Sequence, residues 1–221
     1  ICTACFDIRE NIFLKKDGSG KFTFVIDMSE LKVMFGSSQD STSATSGLEV
    51  KKPTDKIDSK FEDVKKELRT IDGISNIIQN VDTTNIIVTI GFDFKNVTAL
   101  NGAMNVLFKD EETLKPVTYY EYKNKQFKRL ESASKGFLKA GFEDKNAPKD
   151  KKDTEKSPFN LDGLFQTISY TTTYEFESDI QKSINKEALL SSDQKKIVLK
   201  CYPFVEDSTK KCSLTNTITL K

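Results

Sequence analysis

Ile12-Phe13-Leu14-Lys15-Lys16-Asp17-Gly18-Ser19-Gly20-Lys21-Phe22-Thr23-Phe24-Val25-Ile26-Asp27-Met28 is the stretch whose reading decides the fold. Two strand-like runs, Ile12 to Lys16 and Lys21 to Met28, flank Asp17-Gly18-Ser19-Gly20. Asp-Gly supplies turn residues that tolerate positive φ, and alternation on both sides predicts a β-hairpin. In the second run Phe22, Phe24, Ile26 and Met28 share one face, opposite Thr23, Val25 and Asp27. A helical turn is expected around Ser29 to Phe35.

Downstream, hairpins alternate with helices. Residues 36–55 centre on a Ser/Thr/Asp-rich stretch with little to bury and read as a surface loop. From Asp58, Phe61, Val64, Leu68 and Ile71 fall on one helical stripe, with Asp58 or Ser59 as N-cap and Asp72-Gly73 as terminator. Ile74 to Val81 and Asn85 to Phe94 form a second strand pair, in which Ile86, Val88, Ile90, Phe92 and Phe94 repeat at period two. Asn96 caps a helix carrying Val97, Leu100, Met104 and Leu107, and Pro116 precedes a third hairpin, Val117 to Tyr122 with Gln126 to Glu131. This order predicts an α+β fold in which antiparallel hairpins alternate with two helices packed on one sheet face. A ferredoxin-like unit over Ile57 to Tyr122 is compatible with it.

The expected organisation is a leader remnant at 1–5, an α+β domain at 6–131, a polar linker at 132–160 and a β-rich part at 161–221. The last contains strands Ile168 to Phe176, Ile184 to Leu190, Ile197 to Pro203 and Cys212 to Leu220, forming either a second sheet or an extension of the first. The basic cluster Lys149 to Lys156 is interleaved with Asp150, Asp153 and Glu155 and reads as solvated linker.

Composition narrows the chemistry. Lys plus Arg is 34 against Asp plus Glu 33, so no global field favours nucleic acid or an anionic membrane. The count of His is 0, which removes Ser-His-Asp and Cys-His nucleophile arrangements and the commonest zinc ligand. No phosphate loop or metal spacing appears, and neither cofactor nor metal is expected. Carboxylate-only hydrolysis stays open in form, but Asp27, Glu30, Asp93 and Glu121 read as solvent-facing strand and turn residues. Phe22, Phe24, Phe92 and Phe94 either fill the core or line a cavity for an apolar ligand.

The four cysteines fall in two pairs. If the last two strands form a hairpin with Cys201 opposite Cys212, Leu199 falls opposite Leu214 and the sulfurs come within disulfide reach. Two free core thiols are the other reading. Cys2-Thr3-Ala4-Cys5 admits three: half of a zinc site, a thioredoxin-like pair, or a lipidation site at Cys5. The zinc reading needs a second pair that lies ten residues apart, and the redox reading needs a following helix where a strand stands. The small residues Thr3 and Ala4 directly before Cys5 fit the leader of a lipoprotein, although Cys2 stands where Leu is usual.

Cys5-Phe6-Asp7-Ile8-Arg9-Glu10, the Ile12 to Gly20 segment with its Asp-Gly-Ser-Gly turn, and Phe22 to Ser29 together resemble the start of an uncharacterised family of bacterial lipoproteins of the Bacteroidota type. In that family a lipidated Cys opens the mature chain and a hairpin with this turn follows. The resemblance covers about thirty residues and implies an exported, non-enzymatic envelope protein tethered to the membrane through Cys5. A protein partner or an apolar ligand fits that role; nucleic acid does not. The family supplies no catalytic residues to carry over.

Overall fold

The computed structural model describes residues 6–30, 62–108, 115–130, 166–205 and 212–221. The opening hairpin is β1, Phe6–Leu14, and β2, Gly20–Asp27, paired antiparallel from Asp7 opposite Asp27 to Leu14 opposite Gly20. β1 begins earlier than the sequence pattern suggests. Gly18 adopts φ +84, while Asp17 Oδ1 accepts from Ser19 N at 2.9 Å and Ser19 Oγ at 2.7 Å. Those hydrogen bonds from Ser19 hold the Asp17 carboxyl below the usual carboxylate range. Gly20 is required by proximity: a Cβ there would stand 1.9 Å from the Phe13 carbonyl oxygen.

The helix at 62–68 (α1) carries Leu68 into the core, with Val64 and Ile71 packed beside it. Its terminator Gly73 has φ +85, the left-handed conformation that glycine adopts without steric cost. Next come β3, Ile74–Asp82, and β4, Ile87–Phe94, then α2, Val97–Leu107, where the Asn96 side chain accepts from Ala99 N. The expected faces are realised: Val88, Ile90, Phe92 and Phe94 are buried, as are Leu100, Met104 and Leu107. β5, Tyr120–Lys123, and β6, Gln126–Arg129, are joined by Asn124 and Lys125, both at positive φ, the geometry of a two-residue hairpin turn.

The remaining strands are β7, Ile168–Phe176; β8, Ile180–Ser183; β9, Leu189–Leu190; β10, Lys196–Cys201; and β11, Asn216–Leu220. The expected strand over Ile184 to Leu190 is instead a bend and a turn after β8, followed by the short β9. One sheet has the order β3-β4-β2-β1-β7-β10-β9, the other β5-β6-β11-β8. All pairings are antiparallel except β1 with β7, which run parallel with Phe6 beside Ile168 and Leu14 beside Phe176.

One more expectation changes. The segment from Ile57 to Tyr122 is not one ferredoxin-like sheet, because β3 and β4 join the first sheet and β5 starts the second. The C-terminal strands, read as either a second sheet or an extension of the first, divide between the two. β7, β9 and β10 extend the first sheet, while β8 and β11 complete the second. A central strand such as β1 needs partners on both edges, and its second partner comes from the far end of the sequence. The helical turn at Ser29 to Phe35, the loop at 36–55, the caps Asp58 and Ser59, Phe61, the linker at 132–160 and the leader residues 1–5 lie wholly or largely outside the described residues.

One face of the seven-stranded sheet holds the core, and the second sheet packs on it. Phe127, fully buried on β6, meets Tyr174 at 5.3 Å and Phe176 at 5.6 Å between ring centroids. Phe22 stacks on Phe92 at 4.9 Å, and Phe24 meets Phe108 edge-on at 5.3 Å. Three of the four rings considered as cavity lining, Phe22, Phe24 and Phe92, are thus packed on other rings. α2 is joined to the second sheet by amide side chains. Asn101 Oδ1 accepts from Tyr119 N and Tyr120 N, each at 2.9 Å, and its Nδ2 donates to Tyr120 O at 2.8 Å. One turn on, Asn105 makes the equivalent pair with Val117, accepting at 2.7 Å and donating at 2.8 Å. The two asparagines imitate a neighbouring strand.

Candidate functional site

Among the described residues, a buried cluster of ionisable side chains lies between the two sheets. Strict alternation along β1 places Phe6, Ile8, Glu10, Ile12 and Leu14 on the core face, and Glu10 is 0% exposed. Its neighbours on β7, two residues to either side of its register partner Thr172 and on the same face, are Tyr170 and Tyr174. The second sheet contributes Tyr120 from β5 and Arg129 from β6, cross-strand partners on its inner face. All five side chains are buried.

Glu10 is saturated. Oε1 accepts from Tyr120 OH at 2.6 Å, from Tyr174 OH at 3.2 Å and from Arg129 Nη1; Oε2 accepts from Tyr170 OH at 2.7 Å. Arg129 Nη1 also reaches the Tyr120 and Tyr174 hydroxyl oxygens, at 3.2 and 3.0 Å. Its guanidinium carbon stands 5.7 Å from the Tyr120 ring centroid and 5.6 Å from that of Tyr170. A buried ion pair compensates its desolvation only when further hydrogen bonds complete both partners, which the phenols do here.

The electrostatics follow from this enclosure. Burial pushes the hydroxyls of Tyr120, Tyr170 and Tyr174 above the ordinary phenol range; Glu10 adds to the rise and Arg129 opposes it. Burial works against the charge on Arg129, but the Glu10 carboxylate and the three phenols hold its pKa well above the ordinary value. All four groups therefore keep their protons at neutral pH. The cluster's chemical role is to join the sheets.

The carboxylates singled out from sequence do not converge. Asp27 accepts from Arg9 Nη2 at 2.7 Å, Asp93 from Asn76 Nδ2 at 2.7 Å, and Glu121 faces Lys128 at 3.4 Å, while Glu30 is exposed. Among the described residues no three His, Cys, Asp or Glu side chains cluster as metal ligands, and no helix is long and apolar enough to cross a membrane.

Cys201 and Cys212 form a disulfide with Cα atoms 5.7 Å apart. The hairpin invoked to bring them together is absent. β10 is occupied by β7 on one side and β9 on the other, and β11 by β6 and β8, so neither strand can pair with the other where those partners sit. Leu199 stands opposite Thr172 instead of Leu214. The bridge runs from the end of β10 in one sheet to the chain entering β11 in the other, with Tyr202 N donating to Cys212 Sγ at 3.0 Å. Cys5 lies outside the described residues, one position before β1.

Sequence reasoning missed the Glu10 cluster, although one signal was present. A carboxylate in register with Phe6, Ile8, Ile12 and Leu14 on a core face demands a buried cation and donors.

No family model matches the chain. No curated protein matches it either. Among solved structures the chain is similar to the NMR structure of the folded domain of LppM from Mycobacterium tuberculosis, with TM-score 0.44 and 7% identity over 100% of this chain and 92% of that one.

Proposed function

We propose that this chain is an exported, lipid-anchored envelope protein that acts as a binding or structural module and catalyses no reaction. The observation that carries the reading is the Cys201–Cys212 bridge, since disulfides persist in oxidising compartments and are rare in reducing ones. Thr3-Ala4 before Cys5 supports acylation at that residue. The four hydrogen bonds that Glu10 accepts support a non-catalytic role, because they commit this buried assembly to joining the two sheets. Because Phe6 is buried at the start of β1, an acyl chain on Cys5 would hold the sheet against the membrane without an intervening spacer. The alternative, a carrier of an apolar ligand, gains no support from phenylalanines stacked on one another.

The test is intact-mass measurement on protein extracted from membranes of the native host, before and after reduction. Expected are a mass increment of acyl chains on Cys5 and a gain of two hydrogens on reduction of the Cys201–Cys212 bridge. Unacylated Cys5 sinks the anchor, and free thiols at 201 and 212 in freshly alkylated material sink the argument for export.

A further inference from the structure

The two sulfurs of the inter-sheet bridge sit in unlike surroundings. Cys201 closes β10 on the core face, in line with Ile197 and Leu199 and opposite Tyr170, and is 1% exposed. Cys212 is half-buried, in the stretch from Cys212 to Thr215 that belongs to no strand, and Ser213 beside it is exposed. Tyr202, whose backbone N–H donates to Cys212 Sγ at 3.0 Å, is itself 41% exposed. One end of the bridge therefore lies in apolar packing. The other lies among solvent-facing residues and receives a hydrogen-bond donor.

We infer that Cys212 is the sulfur at which an external thiol–disulfide couple makes and breaks the bridge, and that Cys201 is the buried cysteine that resolves the mixed disulfide. Exchange needs a thiolate that can reach a sulfur atom. The Tyr202 N–H stabilises negative charge on Cys212 Sγ, whereas apolar burial holds Cys201 in its protonated, unreactive form. When the bridge forms, the Cys212 thiolate attacks one sulfur of the external disulfide, whose S–S bond breaks and releases one thiolate. Cys201 then loses its proton and attacks Cys212 Sγ; the mixed disulfide breaks and the second external thiolate leaves. The two cysteines give up two electrons, the external disulfide gains them, and the protons end on the two released thiols. Reduction runs the same steps backwards. An external thiolate attacks Cys212 Sγ, Cys201 departs as the leaving group, and a second external thiol frees Cys212. Attack at Cys201 instead requires the reagent to enter the core.

The bridge, not the anchor, carries this inference: unacylated Cys5 leaves it standing, and equal reactivity of the two bridge cysteines leaves the anchor standing. The test uses full-chain Cys201→Ser and Cys212→Ser variants, each incubated with glutathione disulfide near neutral pH and quenched with acid at intervals. Peptide mass spectrometry then reads the adduct at the remaining bridge cysteine separately from adducts at Cys2 and Cys5. Expected is capture at Cys212 roughly 100-fold faster than at Cys201 in the folded proteins, with the two rates within about threefold of each other in denaturing urea. Should either variant fail to fold, the reduced, unsubstituted chain with substoichiometric glutathione disulfide replaces it, and the first adduct is expected on Cys212. Capture at Cys201 as fast as at Cys212 in the folded proteins, a first adduct on Cys201, or a difference that persists in urea overturns the inference.

Discussion

Replacing Arg129 with Met removes the only cation that the Glu10 carboxylate touches among the described residues and keeps nearly the same side-chain volume. Both partners are buried, and the pair sits where the two sheets meet. Breaking a buried pair from one side costs about 3–5 kcal/mol, because the surviving charge stays desolvated. For a chain of this size, that lowers the melting temperature by roughly 6–20 °C, at about 2–4 °C per kcal/mol. The three phenols still donate to Glu10, which places the expectation at the lower end of this range. Urea denaturation of both proteins at pH 7 measures the penalty. A penalty under about 1 kcal/mol would refute the buried-pair reasoning.

Other consequences are testable in the same preparation. Burial raises Tyr120, Tyr170 and Tyr174, half of the six tyrosines, so phenol absorbance near 295 nm rises only partially on titration through pH 10. The stability held in those hydroxyls is fully present below the unfolded phenol value and is lost as pH climbs past it; complete titration below about pH 11 in the folded protein would contradict the cluster geometry. Reducing the Cys201–Cys212 bridge, which spans a sequence separation of 11, removes about 2–4 kcal/mol, read as a lower melting temperature in reductant. Asn101→Leu leaves the backbone N–H groups of Tyr119 and Tyr120 and the carbonyl of Tyr120 without their present partner, costing about 2–4 kcal/mol in denaturant unfolding, and a neutral result would show that water replaces the amide. Gly20→Ala drives a methyl into the Phe13 carbonyl and the Phe94 ring and destabilises by about 1–3 kcal/mol, with loss of the hairpin amides' slow hydrogen exchange.

Local structure was legible wherever residue type and spacing act alone. The Asp17-Gly18 turn, the Asn96 cap and the period-two stripe from Val88 to Phe94 all follow from backbone preferences and one-sided burial. Pairing between distant strands was not legible, because alternation says which face a strand buries and nothing about which strand lies beside it. That is why β7 beside β1 escaped the reading, and why the two bridged cysteines were assigned to a hairpin although β10 and β11 lie in different sheets. Ile184 to Leu190 failed for a different reason: its apolar residues sit in a turn and on a two-residue edge strand, where they remain exposed. Glu10 was readable as an anomaly, but its partners come from four other points along the chain, and no local pattern announces Arg129.

The parallel contact of β1 with β7 also bears on how the chain reaches its native state. The opening hairpin can form from neighbouring residues, yet one long edge of β1 waits for a partner 160 positions later, at Tyr170. An open, apolar-faced edge is an invitation to the wrong strand, in the same molecule or another. Glu10 sits at the middle of that edge and points inward, so any strand that docks without supplying a cation and hydroxyl donors must bury a bare carboxylate. Only β7 with the β5–β6 hairpin brings Tyr170, Tyr174, Tyr120 and Arg129 together. The residue that joins the finished sheets therefore also screens the partners admitted while they assemble.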